Sequence, residues 1–202
     1  MISISDSLRS QFPLEHRRLL NRPKKAAVLV PLIEDDHEPR LILTRRSSTV
    51  STHKGEVAFP GGMHDPQDID LAQTALREAE EEIQLPRSQV EVLGCLDDMI
   101  PKSEWVAVTP VVGLIQHKPV LKANPAEVDR IFEIPLSSLL DRTQWRYEMT
   151  LWREKYWPVY FFDYDGETLW GLSAYIVLSL LKYTPYGSPF DLGQMKAVLH
   201  KD

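Results

Sequence analysis

The chain has a single cysteine, Cys95, among its 202 residues, so no disulfide can form within it, and the reducing cytoplasm is the expected compartment. Cys95 lies in the apolar run VEVLGCL and reads as core packing, not as a reactive thiol. Long apolar runs are also missing. None approaches the roughly 20 residues that cross a bilayer, which speaks against a membrane helix. The opening MISISDSLRSQFPLEHRRLL has neither the basic start nor the apolar middle of a secretory signal. Positive charge is scarce: 23 Lys and Arg against 29 Asp and Glu leave a net charge of -6. That balance argues against nucleic-acid binding, because phosphate contacts demand clustered Lys and Arg. An acidic chain that handles an anionic substrate needs a local positive field, and a bound cation supplies one. No Cys or His group has zinc spacing, and no repeat or low-complexity tract interrupts the chain.

What is present fits one domain, residues 1–202, with a core over about 24–183. A short helical lead-in ends at Pro23, and KKAAVLVPLI reads as a buried strand. RLILTRR is expected to form a hairpin with it, and EVAF a third short strand. After the loop GGMHDPQDID the spacing predicts a helix over Leu71–Ile83, N-capped by Asp70 with Gln73 as capping-box partner. VEVLGCLDDMI and WVAVTPVVGLI read as strands, FEIPLSSLL as a short helix, and YFFDYDGETLWG as a hairpin turned at Asp165-Gly166. An amphipathic helix over about Leu172–Tyr183 follows. Strands interleaved with few helices imply an α/β fold, a mixed sheet with helices packed on it.

The helix LAQTALREAEEEI is acidic where a helix should not be. Glu78, Glu80, Glu81 and Glu82 crowd the negative end of the helix dipole, at a cost of roughly 0.3–1 kcal/mol each. Glu78 and Glu82 are in addition a like-charge i,i+4 pair. Positions 78, 81 and 82 share one face while Glu80 points elsewhere, so three carboxylates converge. Such a cluster suits a hard cation such as Mg2+ or Mn2+. A lone EEE run is otherwise a solvated face, with Arg77 paired to Glu81.

The segment Gly62–Leu85 resembles the Nudix box, whose core Arg-Glu-x-x-Glu-Glu reads here as REAEEE from Arg77 to Glu82. The resemblance implies a loop-helix-loop on an α/β/α sandwich. It also implies that Glu78, Glu81 and Glu82 bind divalent metal and that Arg77 bonds to neighbouring carboxylates. One extra residue between Gly62 and Arg77 puts the family's earlier glutamate on Asp68, Ile69 or Asp70. Gln84-Leu85 stands in place of the usual Gly-Leu, so the helix is expected to exit by a route other than a left-handed cap. Upstream, LTRRSSTVSTHKGEVAFPGG is similar to the signature of Nudix enzymes that cleave coenzyme A, with Leu43, Thr44, Arg46, Ser47, Gly55, Phe59, Pro60, Gly61 and Gly62 in register. Ser51 replaces that signature's arginine.

The resemblance implies hydrolysis of coenzyme A or acyl-CoA to 4'-phosphopantetheine and adenosine 3',5'-bisphosphate. The alternatives are the same chemistry on ADP-ribose, a dinucleotide or a nucleoside triphosphate, and a non-catalytic nucleotide sensor. Arg46, Arg45 and Lys54, with Gly61 and Gly62, are the candidate substrate contacts, since a guanidinium can fork a phosphate. Glu127 resembles the glutamate that many Nudix enzymes set opposite the box, and it could equally be a helix-start carboxylate. His53 reads as a surface histidine, and Asp65, Asp68 and Asp70 as turn and cap residues. The aromatics Trp152, Tyr156, Trp157, Tyr160, Phe161 and Phe162 either stack on an adenine or, more commonly, pack in a core or form a homodimer surface.

Overall fold

The computed structural model describes residues 4–11, 18–34, 38–49, 53–101, 105–152 and 154–190. Strand β1 (Lys24–Ile33) is the axis of the larger sheet. Its side chains alternate between two apolar layers. Ala27, Leu29 and Ile33 face helix α2 (Leu71–Ile83), while Val30 and Leu32 join the core around helix α4 (Gly171–Leu181). Strand β6 (Val106–Ile115) lies parallel to β1 from Lys24–Val106 to Ile33–Ile115 and divides its side chains the same way. Strands buried on both faces read as nearly continuous apolar runs, as KKAAVLVPLI and VAVTPVVGLI do.

The other edge of β1 has two partners. Strand β2 (Arg40–Arg46) pairs with it only at Leu32–Leu41 and Ile33–Arg40, whereas β4 (Gly61–Met63) pairs along Ala26–Val28. β1 and β2 therefore diverge, and β3 (Val57–Ala58), held on Thr44 and Arg45, helps to fill the fork with β4. β7 (Val128–Pro135) pairs with β2, and β5 (Glu91–Cys95) with β6. A second antiparallel sheet comprises β8 (Trp145–Trp152), β9 (Lys155–Tyr164) and β10 (Glu167–Trp170), the last two turned at Asp165-Gly166. Trp145, Phe162 and Leu169 of this sheet enter the same core as α4, which Leu8 of α1 (Ile4–Gln11) and Leu139 of α3 (Leu136–Leu140) complete. The larger sheet thus has helices on both faces, an α/β/α arrangement with a mixed sheet. Among the described residues no helix is long and apolar enough to cross a membrane.

Four expectations need correction. Gly-Gly-Met opens no loop but forms β4, because β1 supplies the pairing that glycine's own propensity lacks. FEIP ends β7, and the helix begins only at Leu136. β8 lies outside the strands expected from the sequence, although WRYEMTLW alternates Trp145, Tyr147, Met149 and Leu151 with Arg146, Glu148 and Thr150; of the apolar set only Trp145 is buried. Finally, α4 is not amphipathic: Ala174–Leu178, Leu180 and Leu181 are buried between the two sheets.

Candidate active site

Helix α2 begins as its sequence implies. Asp70 accepts the Gln73 backbone N–H at 2.8 Å, and the Gln73 side chain accepts the N–H of Ile69, one residue before the cap, at 3.1 Å. Its end corrects the sequence expectation. Gln84 occupies the left-handed region at φ 54°, ψ 35°, with its N–H on Glu80 O at 3.1 Å. The conformation costs about 1–2 kcal/mol in a residue with a side chain. It is followed by Leu85, fully buried in the layer beneath α2, whose burial offsets that cost.

The glutamates of this helix have unequal surroundings. Glu82 is 2% exposed. Its carboxylate accepts the Gly61 N–H at 3.3 Å and lies 3.8 Å from Arg46 Nη1. Burial dominates and pushes its pKa up to about 8; Arg46 opposes the shift, while Glu127 and Glu78 add to it. Glu78 is also raised, first by burial, with Arg77 opposing and Glu81 and Glu127 reinforcing. A Cβ at Gly62 would stand 2.5 Å from the Glu78 carboxyl, and one at Gly61 2.4 Å from Ala27 O. Gly61 is therefore a spatial requirement against the β1 backbone, whereas a Cβ at Gly62 would displace the Glu78 carboxyl. Glu81, with a side chain 54% exposed, is turned to Arg77 at 3.3 Å, and Glu80 pairs with Arg87 away from the group. Of the three, Glu82 is buried, Glu78 half-buried and Glu81 mostly exposed. Among the described residues no three His, Cys, Asp or Glu are gathered tightly enough to hold a metal as their side chains lie.

Arg77 organises this face. It grips Asp68 with Nε and Nη2 at 3.1 and 3.0 Å, reaches Glu78 and Glu81 with Nη1, and donates to Met63 O. Arg77 above all, then Thr74, lowers the Asp68 pKa to about 2. Of the three positions left open by the extra residue, Asp68 is the one that meets the box arginine. Sequence reading assigned it to turn chemistry; its offset of nine residues from Arg77 crosses a loop whose path spacing cannot supply.

Glu127 starts no helix. It lies in a turn held by Asn124, whose side chain accepts the Ala126 N–H at 3.1 Å, at the head of β7. The turn is tied to both neighbours of the site: Ser47 N–H donates to Glu127 O, and Asn124 N–H to Glu82 O, each at 2.8 Å. Arg46 and Arg45 part company. Ile42, on the α2 side, shares its strand face with Thr44 and Arg46, whereas Leu41 and Leu43, on the α4 side, share theirs with Arg45. Arg45 is bound at 3.0 Å by the buried Glu167, which Arg130 also holds, so it is not brought to the glutamates. Arg46 is, and its Nε is buried without a hydrogen-bond partner among the described residues. Lys54 is exposed in the turn between β2 and β3, and His53 beside it pairs with Glu56 on the surface. Ser51 lies outside the described residues. Of the aromatics, Phe162 and Tyr160 are core, and Tyr156 is exposed.

An acidic helix lined by a diglycine strand and faced by Arg46 is thus mounted on an α/β/α sheet. Residues 23–153 match the NUDIX domain. The chain is 44% identical over 183 residues to the Nudix hydrolase NudL of Photorhabdus laumondii, covering 89% of its own length and 97% of the other. It is 41% identical over 170 residues to the mitochondrial Nudix hydrolase 15 of Arabidopsis thaliana, covering 81% of itself and 59% of that longer protein. A crystal structure of a MutT/nudix family protein from Enterococcus faecalis shares the fold, with a TM-score of 0.53 at 15% identity over 83% of this chain and 64% of that one. The chain belongs to the Nudix hydrolase family. Its substrates are nucleoside diphosphate derivatives, and hydrolases of this family generally require a divalent metal such as Mg2+ or Mn2+.

Proposed function

We propose that the protein hydrolyses the diphosphate bond of coenzyme A or an acyl derivative in the cytoplasm, giving 4'-phosphopantetheine or its acyl form and adenosine 3',5'-bisphosphate. The observation that carries this reading is the buried Glu82 beside the half-buried Glu78, with Gly61-Gly62 against them and Arg46 facing Glu82. Glu78 and Glu82, whose proton affinity burial has raised, offer oxygen donors of the kind a hard cation takes. Glu78, Glu81 and Glu82, with Glu127 opposite, would hold Mg2+ or Mn2+, which when bound neutralises diphosphate oxygens and acidifies water.

The chain's own groups do the rest. Arg77, anchored by Asp68, orients Glu78 and Glu81. Arg46 presents a buried Nε with no acceptor among the described residues, and a phosphate oxygen satisfies it. Water attacks one phosphorus, the bond from that phosphorus to the bridging oxygen breaks, and a site carboxylate takes the proton from the water. Coenzyme A is favoured over other diphosphates by the segment Leu43–Gly62. Thr44 binds Ala58 O, Ser47 ties to the Glu127 turn, and Pro60 O receives Leu29 N–H, so the signature residues hold the end of β2 that carries Arg46. With Mg2+, a panel of coenzyme A, ADP-ribose, a dinucleoside polyphosphate and a nucleoside triphosphate should show the greatest kcat/KM for coenzyme A. Clear preference for ADP-ribose would sink the substrate assignment, and no turnover on the panel would support the sensor alternative.

A further inference from the structure

A cavity of about 320 Å³ lies where the β8–β9 hairpin overhangs the first turn of α4, walled by Ile100, Leu151, Trp157, Val159, Phe161 and Leu172 among others. We propose that it receives the apolar tail of the substrate, an acyl chain carried on the thiol end of the molecule; this rests on the function proposed above. The volume is that of a small-molecule site. No charged side chain lines it among the described residues, and its polar groups are partly spent inside the protein. Trp157 Nε1 donates to Trp152 O at 3.0 Å, and the Tyr175 hydroxyl is bonded to Ser179. A ligand here gains by burying carbon, not by pairing charge. The hairpin supplies more apolar surface than the core uses. Trp145 and Phe162 face each other in the core, but farther along the same sheet face Leu151 opposite Tyr156 remains 60% and 67% exposed.

Topology puts the cavity and the carboxylates at the same end of the larger sheet. Ile100 and Pro101 follow the bridge Met99–Val108, at the N-terminal end of β6. β6 is parallel to β1, whose N-terminal half carries β4 with Gly61 and Gly62, and antiparallel β2 delivers Arg46 toward that same end. The carboxylates lie on the α2 face of the sheet and the cavity on the α4 face, so a ligand using both must be long and flexible between its diphosphate and its tail.

The test compares acetyl-CoA with octanoyl-CoA in the wild type and in Leu151→Asp, a change at the exposed mouth. A fully buried methylene is worth roughly a fourfold gain, so the wild type should favour octanoyl-CoA in kcat/KM by at least about tenfold. Leu151→Asp should bring that ratio close to one, and because the ratio is taken within each protein, a uniform loss of activity cancels. Binding in EDTA, read from tryptophan fluorescence since Trp152, Trp157 and Trp170 line the cavity, should show the same chain-length gain and its loss. A wild type that cleaves coenzyme A without regard to chain length overturns the cavity assignment and leaves the function standing, as does a ratio unchanged in the variant. Chain-length-dependent binding with no cleavage of coenzyme A overturns the function instead and turns the cavity into a site for a separate apolar ligand.

Discussion

Arg46 and Glu82 face each other without either satisfying the other. At 3.8 Å the pair is too long for a direct hydrogen bond, and Arg46 Nε has no acceptor among the described residues. Arg46→Lys keeps the charge but loses the planar fork, and kcat/KM should fall by about ten- to hundredfold, the worth of a charged hydrogen bond. Arg45→Lys, on the other face, should weaken the tie to Glu167 and lower the melting temperature while leaving kcat/KM within about twofold. Equal losses at both positions would return Arg46 to ordinary surface charge. Glu82 makes a pH prediction. Its folded pKa, about 8, lies above the ordinary 4.5, so between those values the folded state holds a proton that the unfolded state has released. Stability in EDTA should therefore fall as pH rises through that window, and Glu82→Gln should remove the corresponding part of the slope. Urea titrations at about pH 5 and pH 8 measure it; a slope unchanged in the variant would place the titration elsewhere.

For helix α2 as an element, the two ends differ in how well residue type suits position. The start is capped by Asp70. The end puts Gln84 where glycine has no steric penalty, at φ 54°. Gln84→Gly should stabilise the fold by roughly 0.5–1 kcal/mol, relief of left-handed strain less glycine's greater entropy loss. Chemical denaturation with an unchanged m-value checks it, and destabilisation would mean that the glutamine side chain supplies a contact outweighing the strain. The acidic turns before Gln84 oppose the helix dipole, and Arg77 offsets part of that cost by bonding Glu78 and Glu81 while gripping Asp68.

The whole molecule brings these elements together, and a cation should register at that scale. Millimolar Mg2+ that binds only the folded state stabilises it by RT ln(1 + [L]/Kd), about 2.7 kcal/mol at a hundredfold excess over Kd. Wild type should thus gain several degrees in melting temperature, and Glu78→Gln much less, although in EDTA the variant should equal or exceed wild type because a buried, repelled charge is gone. A variant destabilised in EDTA and fully active in Mg2+ would make Glu78 a structural partner of Arg77. The buried strands β1 and β6, the helix Leu71–Ile83 and the turn Asp165-Gly166 were legible in the sequence, because apolar period, capping and turn chemistry are local. So was the REAEEE face, since i, i+3 and i+4 positions share a side of any helix. The sequence also left Arg45 and Arg46 together as candidates, although strand alternation counted from Leu41 could have separated them. Only the tertiary structure decided that Asp68 is the partner of Arg77, that Glu167 withdraws Arg45, that the Glu127 turn is tied to Ser47 and to Glu82 O, and that Glu82 is buried while Glu81 is not. Each of these depends on how segments far apart in the chain pack and desolvate a charge, and neither residue type nor spacing encodes that.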